Sequence, residues 1–170
     1  VQWTQTAATE QPQEGHHPTG SFAPYSPVSD GKHVWAGFGS RGLHCYTVEG
    51  EHVWSTPLLK MSTRRGFGEG SSPALAGDAI VVIQDHEGPS RIAAYDKSTG
   101  KLLWEKARDE ISAWATPFPV TVGDTTQIIA NATGRIRSYN LADGDVIWEC
   151  GGMTVNVIPT PVAGFGKVYC

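Results

Sequence analysis

Three scarcities narrow the chemistry of this chain before any motif is read. It has no concentrated basic segment: thirteen Lys and Arg against seventeen Asp and Glu leave a net charge of −4, and no cationic cluster exceeds the pair Arg64-Arg65. Nucleic acid and anionic membrane surfaces both demand a dense cationic footprint, so neither is an expected partner. It has no long apolar run either. The longest, Ala79 to Ile83, covers five residues, whereas a helix crossing a bilayer needs about 20, and no membrane-spanning segment is expected. Cysteine is sparse, with Cys45, Cys150 and Cys170 odd in number and free of any C-x-x-C spacing; a disulfide framework is not expected, and the thiols read as small apolar side chains packed in strands. No window carries a helical stripe.

Glycine and proline, by contrast, are plentiful, at twenty and eleven, and they recur. Gly-x-x-x-Trp appears at Gly50 to Trp54, Gly100 to Trp104 and Gly144 to Trp148. A hydroxyl residue precedes proline at Ser26-Pro27, Ser72-Pro73, Thr116-Pro117 and Thr160-Pro161, in phase with the first marker. Between them an aliphatic residue stands three positions before a Tyr: Leu43 and Tyr46, Ile92 and Tyr95, Ile136 and Tyr139. A period of about 45 residues is one supersecondary unit per repeat.

Each unit divides into four extended stretches. In the middle unit these are predicted at 72–75, 79–84, 91–96 and 101–106, rich in β-branched and aromatic residues and separated by Gly, Asp, Ser or Pro. The joints at 76–78 and 97–100 are hairpin-sized, so each unit is expected to be a four-stranded antiparallel meander, with its proline opening the first strand. The expected fold class is all-β: a β-propeller fragment of three complete blades with partial blades at both ends. The expected divisions are 1–21 for the last strand of a preceding blade and its connection, blades at 22–66, 67–110 and 111–154, and 155–170 for the first two strands of a further blade.

Ala94-Tyr95-Asp96-Lys97-Ser98-Thr99-Gly100 through Trp104 matches A-x-D-x-x-T-G-x-x-x-W; Ser138 through Trp148 is a looser copy, and Cys45 through Trp54 is one residue shorter. The chain thereby resembles the PQQ-like, quinoprotein-type propeller repeat proteins, closest to the group of the BamB-type outer-membrane assembly lipoprotein. The resemblance implies a ring of about seven or eight blades, of which this chain is roughly half. It also implies that Trp54, Trp104 and Trp148, with Gly50, Gly100 and Gly144, dock neighbouring blades, and that the protein is extracytoplasmic, in the bacterial periplasm or associated with the outer membrane.

In such a meander the first and third turns lie on one rim, and the second turns and inter-blade connections on the other. The second rim concentrates polar and ionisable side chains: Arg41, Arg64, Arg65, Glu69, Asp85, His86, Glu87, Arg108, Asp109, Glu110 and Asn131. Loops held on a rigid scaffold are frequent binding sites, so these are the candidate binding residues, to be weighed against plain solvated loop charges. Gly37-x-Gly39-x-x-Gly42 fits a dinucleotide pattern but precedes a strand instead of a helix, and reads as a tight turn. No His or Cys ligand spacing is present, so no metal site is expected; Asp85, His86 and Glu87 come nearest to one. Asn131-Ala132-Thr133 is a glycosylation sequon.

No catalytic residue can be named. The expected function is a non-catalytic scaffold for protein–protein interaction or assembly, without a cofactor, whose partners are proteins and the remaining blades of the ring. The same repeat also builds PQQ- and calcium-dependent dehydrogenases, an alternative for which Asp85, Asp109 and Asn131 are the available residues, although the vicinal disulfide common in those enzymes has no Cys-Cys pair here. A third reading is a sensor propeller taking a small polar ligand or glycan on the charged rim.

Overall fold

The computed structural model describes all 170 residues. Strands supply nearly all its regular structure, and the helical content is limited to short 3-10 turns at Gly39–Arg41 and Arg64–Gly66. Blade 1 comprises β1 (Val28–Ser29), β2 (His33–Gly37), β3 (Leu43–Thr47) and β4 (His52–Thr56); blade 2 comprises β5 (Ala74–Ala76), β6 (Ala79–Gln84), β7 (Ser90–Asp96) and β8 (Leu102–Arg108). Blade 3 comprises β9 (Phe118–Val122), β10 (Thr125–Asn131), β11 (Arg135–Asn140) and β12 (Val146–Gly151), and a hairpin of β13 (Val162–Gly164) and β14 (Lys167–Tyr169) follows. Within each blade the strands pair antiparallel in chain order. In the middle unit the sequence places β6 as observed, whereas β8 runs two residues past its expected end, to Arg108. No strand precedes Val28.

Local chemistry explains this regularity. Every first strand starts on the residue after its proline: Val28 after Pro27, Ala74 after Pro73, Phe118 after Pro117 and Val162 after Pro161. Proline fixes an extended approach and has no N–H to leave unpaired. The hydroxyl before it ties neighbouring blades together. Ser26 N–H donates to Ser72 Oγ (2.9 Å), and Ser72 N–H donates to Thr116 Oγ1 (3.1 Å). A bulge recurs just before the motif Tyr, between Cys45 and Tyr46, Ala94 and Tyr95, and Ser138 and Tyr139.

The core lies between blades. Along β6, Ala79, Val81 and Ile83 pack towards Ile128, Ala130 and Tyr139 of blade 3, while Ile80 and Val82 pack with Trp35, Leu43, Cys45 and Trp54 of blade 1. A strand buried on both faces reads as an unbroken apolar run, and this accounts for Ala-Ile-Val-Val-Ile. Burial pushes the Cys45 thiol up to about 11, a packed thiol and not a reactive one.

The tryptophans of β4 and β8 lie over the third-turn glycine of the next blade. A Cβ built on Gly100 would meet the Trp54 ring at 2.5 Å, and one on Gly144 would meet the Trp104 ring at 2.5 Å; both glycines have positive φ, +69° and +76°. No L side chain satisfies that contact and that backbone together. The indole N–H groups donate to carbonyls of the same turns, Trp54 to Lys97 (3.1 Å) and Trp104 to Leu141 (2.7 Å). Trp3, which lies outside any strand, repeats the arrangement on Gly50 and donates to Val48 (2.8 Å). Trp148 differs: its N–H turns to Gln127 Oε1 of its own blade (3.0 Å), and β13–β14 supplies no third turn for it to cover.

Candidate functional site on the loop rim

The rim carrying the second turns and the inter-blade connections holds the candidate binding residues, in two arrangements. Around blade 1, the carboxylate of Glu69 is the hub. It accepts from Tyr25 OH (2.9 Å), Ser40 N–H (2.7 Å), Ser40 Oγ and Gln13 Nε2 (3.0 Å), and Arg41 lies 3.8 Å away. Gly39 makes room for it, since a Cβ there would overlap the carboxylate. Burial, then the adjacent Glu69 charge, pushes the Tyr25 phenol well above its ordinary range, so it remains a donor.

The segment before blade 1 is strapped across these loops. Gln13 Nε2 also reaches Ser40 Oγ (2.8 Å) and Met61 O (3.0 Å). Glu14 accepts from the Thr63 hydroxyl (2.6 Å) and the Thr63 N–H (2.9 Å), and His17 N–H donates to Phe67 O (2.8 Å). None of Gln13, Glu14 and Tyr25 stands out in sequence, because isolated polar residues in a connection carry no pattern.

Between blades 2 and 3 the charged residues consume one another. Arg108 grips Asp85 through two parallel bonds, Nε–Oδ1 at 2.7 Å and Nη2–Oδ2 at 2.8 Å, with both side chains wholly buried. Its guanidinium also donates to Tyr139 OH and lies 5.5 Å from that ring's centre. Burial opposes the Arg108 charge, but Asp85 more than reverses this and holds the pKa above its ordinary value. Beside it, Arg137 pairs with Glu110 (2.8 Å), Asp109 and Glu149 (3.2 Å). Burial pushes the Glu110 carboxyl up against the opposing pull of Arg108 and Arg137.

Arg137 is absent from the sequence-derived set. Its only signal is a charge at the strand position where the middle unit has Ala93, both being the residue after the motif aliphatic.

The remaining candidates divide into tied and free. His86 is buried; its Nδ1 accepts from Ser62 N–H (3.3 Å) and Gly88 N–H (3.2 Å), while Nε2 donates to Pro89 O (3.2 Å). Glu87 accepts from the Ser112 hydroxyl at 2.8 Å. Asn131 is buried, with Nδ2 donating to Pro159 O (3.0 Å), so its sequon is closed to an oligosaccharide in the folded chain. Arg64 and Arg65 alone among the candidate cations make no ion pair, and Arg65 projects from a left-handed backbone position at φ 54°. The turn that carries them leads into Phe67, which with Trp114, His17, Pro24 and Ile158 lines a groove of about 470 Å³ that neither arginine lines. Trp114 is held by a bond from its N–H to Gly68 O (2.7 Å), and Gly70 admits the ring where a Cβ would stand 2.9 Å from it.

A calcium-bound quinone would require several oxygen donors converging on one point. Here both oxygens of Asp85 are taken by Arg108, one oxygen each of Glu110 and Asp109 is paired with Arg137, and no three His, Cys, Asp or Glu side chains are grouped to hold a metal ion. The buried Asn131 Oδ1 has no hydrogen-bond partner, but it is a single donor. The donor set of these residues does not fit that group.

The repeat pattern, the stacked blades and the tryptophan contacts agree with the family comparison. A model of the family described as outer membrane protein assembly factor BamB matches residues 1–151. The chain belongs to that family. No curated protein matches it. Among solved structures, its fold is similar to BamB from Moraxella catarrhalis, with a TM-score of 0.57 and 16% identity over 86% of this chain and 40% of that one. It is also similar to the quinohemoprotein alcohol dehydrogenase from Comamonas testosteroni, with a TM-score of 0.59 and 16% identity over 81% of this chain and 22% of that one. A europium-containing methanol dehydrogenase gives 0.56 and 17%, over 81% and 25%. The chain thus spans less than half the length of these BamB-family and dehydrogenase structures, and identities this low establish the shared propeller fold. No helix is long and apolar enough to cross a membrane.

Proposed function

We propose that the chain is part of a non-catalytic propeller scaffold that captures protein on its loop rim and serves assembly at the outer membrane, outside the cytoplasm. The observation that carries this reading is the state of the rim's charges. Asp85, Glu69 and Glu110, which would serve a reaction as base or ligand, are each spent on internal ties, whereas Arg64 and Arg65 make no ion pair and stand in the short turn that leads into Phe67 of the aromatic groove. A rim braced internally and open at cations and rings is suited to holding a surface, and poorly suited to moving a proton. The family's description as an assembly factor supports the same direction.

The reading is tested by binding. The variant Arg64→Glu/Arg65→Glu should lose at least about tenfold in affinity for the outer-membrane assembly proteins of its own cell envelope, with an unchanged β-sheet circular dichroism spectrum. Unchanged affinity would move the interface off this rim. The dehydrogenase reading draws on the likeness to the quinohemoprotein fold. Dye-linked alcohol oxidation by the full-length protein on addition of PQQ and Ca²⁺ would favour it instead.

A further inference from the structure

Two imidazoles meet at one hydroxyl on the outer strands of blade 1, next to its second turn and apart from the Glu69 and Arg108 networks. β3 places His44 opposite Ser55 of β4. Residues three apart on a regular strand point to opposite faces, so His52 would face away from Ser55. The bulge prevents this. Cys45 pairs with Trp54 and Tyr46 with His52, leaving Val53 as the extra residue and turning His52 back to the face shared by His44 and Ser55.

The hydrogen bonds assign the protons. His44 Nε2 lies 3.1 Å from Arg41 O, which can only accept, so that nitrogen carries the hydrogen and Nδ1 presents a lone pair. Ser55 Oγ, 2.8 Å from His44 Nδ1, donates its single proton there; His52 Nε2, 2.7 Å from the same oxygen, therefore donates to it. An imidazole whose second nitrogen is anchored to a backbone carbonyl is the usual preparation of a metal-binding histidine. His52 and Ser55 are exposed whereas His44 is buried at 5%, so an ion approaches from the His52 side and meets His44 through the Ser55 position.

We propose that His44 Nδ1 and His52 Nε2 form a two-histidine site for a divalent transition-metal ion of the Zn²⁺ or Cu²⁺ class. On binding, the Ser55 hydroxyl hydrogen turns away and the His52 proton shifts from Nε2 to Nδ1, so two neutral imidazole lone pairs face the ion. Swinging of the exposed His52 ring brings its nitrogen within bonding distance, about 2.0–2.1 Å for Zn–N, and the Ser55 hydroxyl or water completes the shell. Imidazole donors select such ions over Ca²⁺ and Mg²⁺. The other histidines lack this convergence: His16 and His17 turn their Nδ1 atoms to different local groups, His33 faces Asp30, and both ring nitrogens of His86 are engaged.

The test is titration of the chain with Zn²⁺, and separately with Cu²⁺. Imidazole NMR signals are followed in the first and nitrogen hyperfine structure in the electron paramagnetic resonance spectrum in the second. Both the His44 and His52 rings should shift together on Zn²⁺, and Cu²⁺ should report two imidazole nitrogens. His52→Ala, at an exposed position, should weaken binding at least about tenfold with unchanged circular dichroism, whereas His16→Ala/His17→Ala should leave it unaltered. Absence of binding, shifts confined to His52, equal affinity in His52→Ala, or loss only in the His16/His17 variant would each overturn the site.

Discussion

Arg108 shows how much the meaning of a residue depends on what surrounds it. As a charge beside a loop it is a candidate contact for a partner; in the fold it is sealed against Asp85 beneath Tyr139. Removing one member of a buried pair leaves an uncompensated charge, at a cost of about 3–5 kcal/mol. Arg108→Met should therefore lower the unfolding free energy obtained from urea titration by that much, and the double variant Asp85→Leu/Arg108→Met should recover most of the loss. Sequence position could not separate Arg108 from Arg64, since both stand at the edge of a strand or connection; depth between blades is a property of the assembled sheets. For the same reason Arg137, which does share the buried network, gave almost no signal.

At the scale of the element, the third turn of each blade illustrates what a short motif encodes. Asp96 Oδ1 accepts from Ser98 N–H (3.0 Å), Thr99 N–H (2.8 Å) and Thr99 Oγ1 (2.8 Å), and Gly100 closes the turn at positive φ. The bond from the Thr99 hydroxyl, with those from the two N–H groups, holds the Asp96 carboxyl below its ordinary value of 3.8. The folded state therefore binds its proton less readily than the unfolded chain. The stability this group contributes is complete above about pH 3.8 and is lost as pH falls from there through the lower folded value. Asp96→Ala should accordingly be less stable than the parent by a constant margin from pH 7 to pH 5, and the margin should shrink below pH 3.8 in parallel urea titrations. These turns, the prolines before the first strands and the strand runs were legible in sequence because they follow from backbone chemistry within a few residues.

Across the whole molecule, stability resides in the joints between blades. Each blade buries its faces only against its neighbours, as in other stacked-repeat architectures. Trp104 lies within such a joint, over Gly144, whereas Trp148 covers no neighbouring turn. Trp104→Ala should cost about 3–5 kcal/mol, the range for deleting a large buried aromatic, and Trp148→Ala clearly less, compared by thermal and urea unfolding of the same chain. Equal losses would mean that the indole's value comes from its own blade. The outer strand β12 leaves Val146 and Ile147 about half exposed, at 51% and 43%, while the apolar residues of β6 are buried on both sides. The outer strand of blade 2, which has a blade on each side, leaves Leu102 and Leu103 equally exposed, at 53% and 54%, so the difference arises from strand position within the blade and not from composition.

What the amino-acid order determined by itself was periodic: strand runs, turn glycines, the prolines before each first strand and the Gly-x-x-x-Trp register, because each is set by φ, ψ and hydrogen bonding within one unit. What only the tertiary structure decided was partnership. It placed Asp85 with Arg108 and Glu69 with Tyr25, docked Trp3 on Gly50 without a strand, and brought His44 and His52 to one hydroxyl through a bulge. Such contacts join residues up to about one repeat apart, and their energies depend on burial and direction, which no single unit of the chain contains.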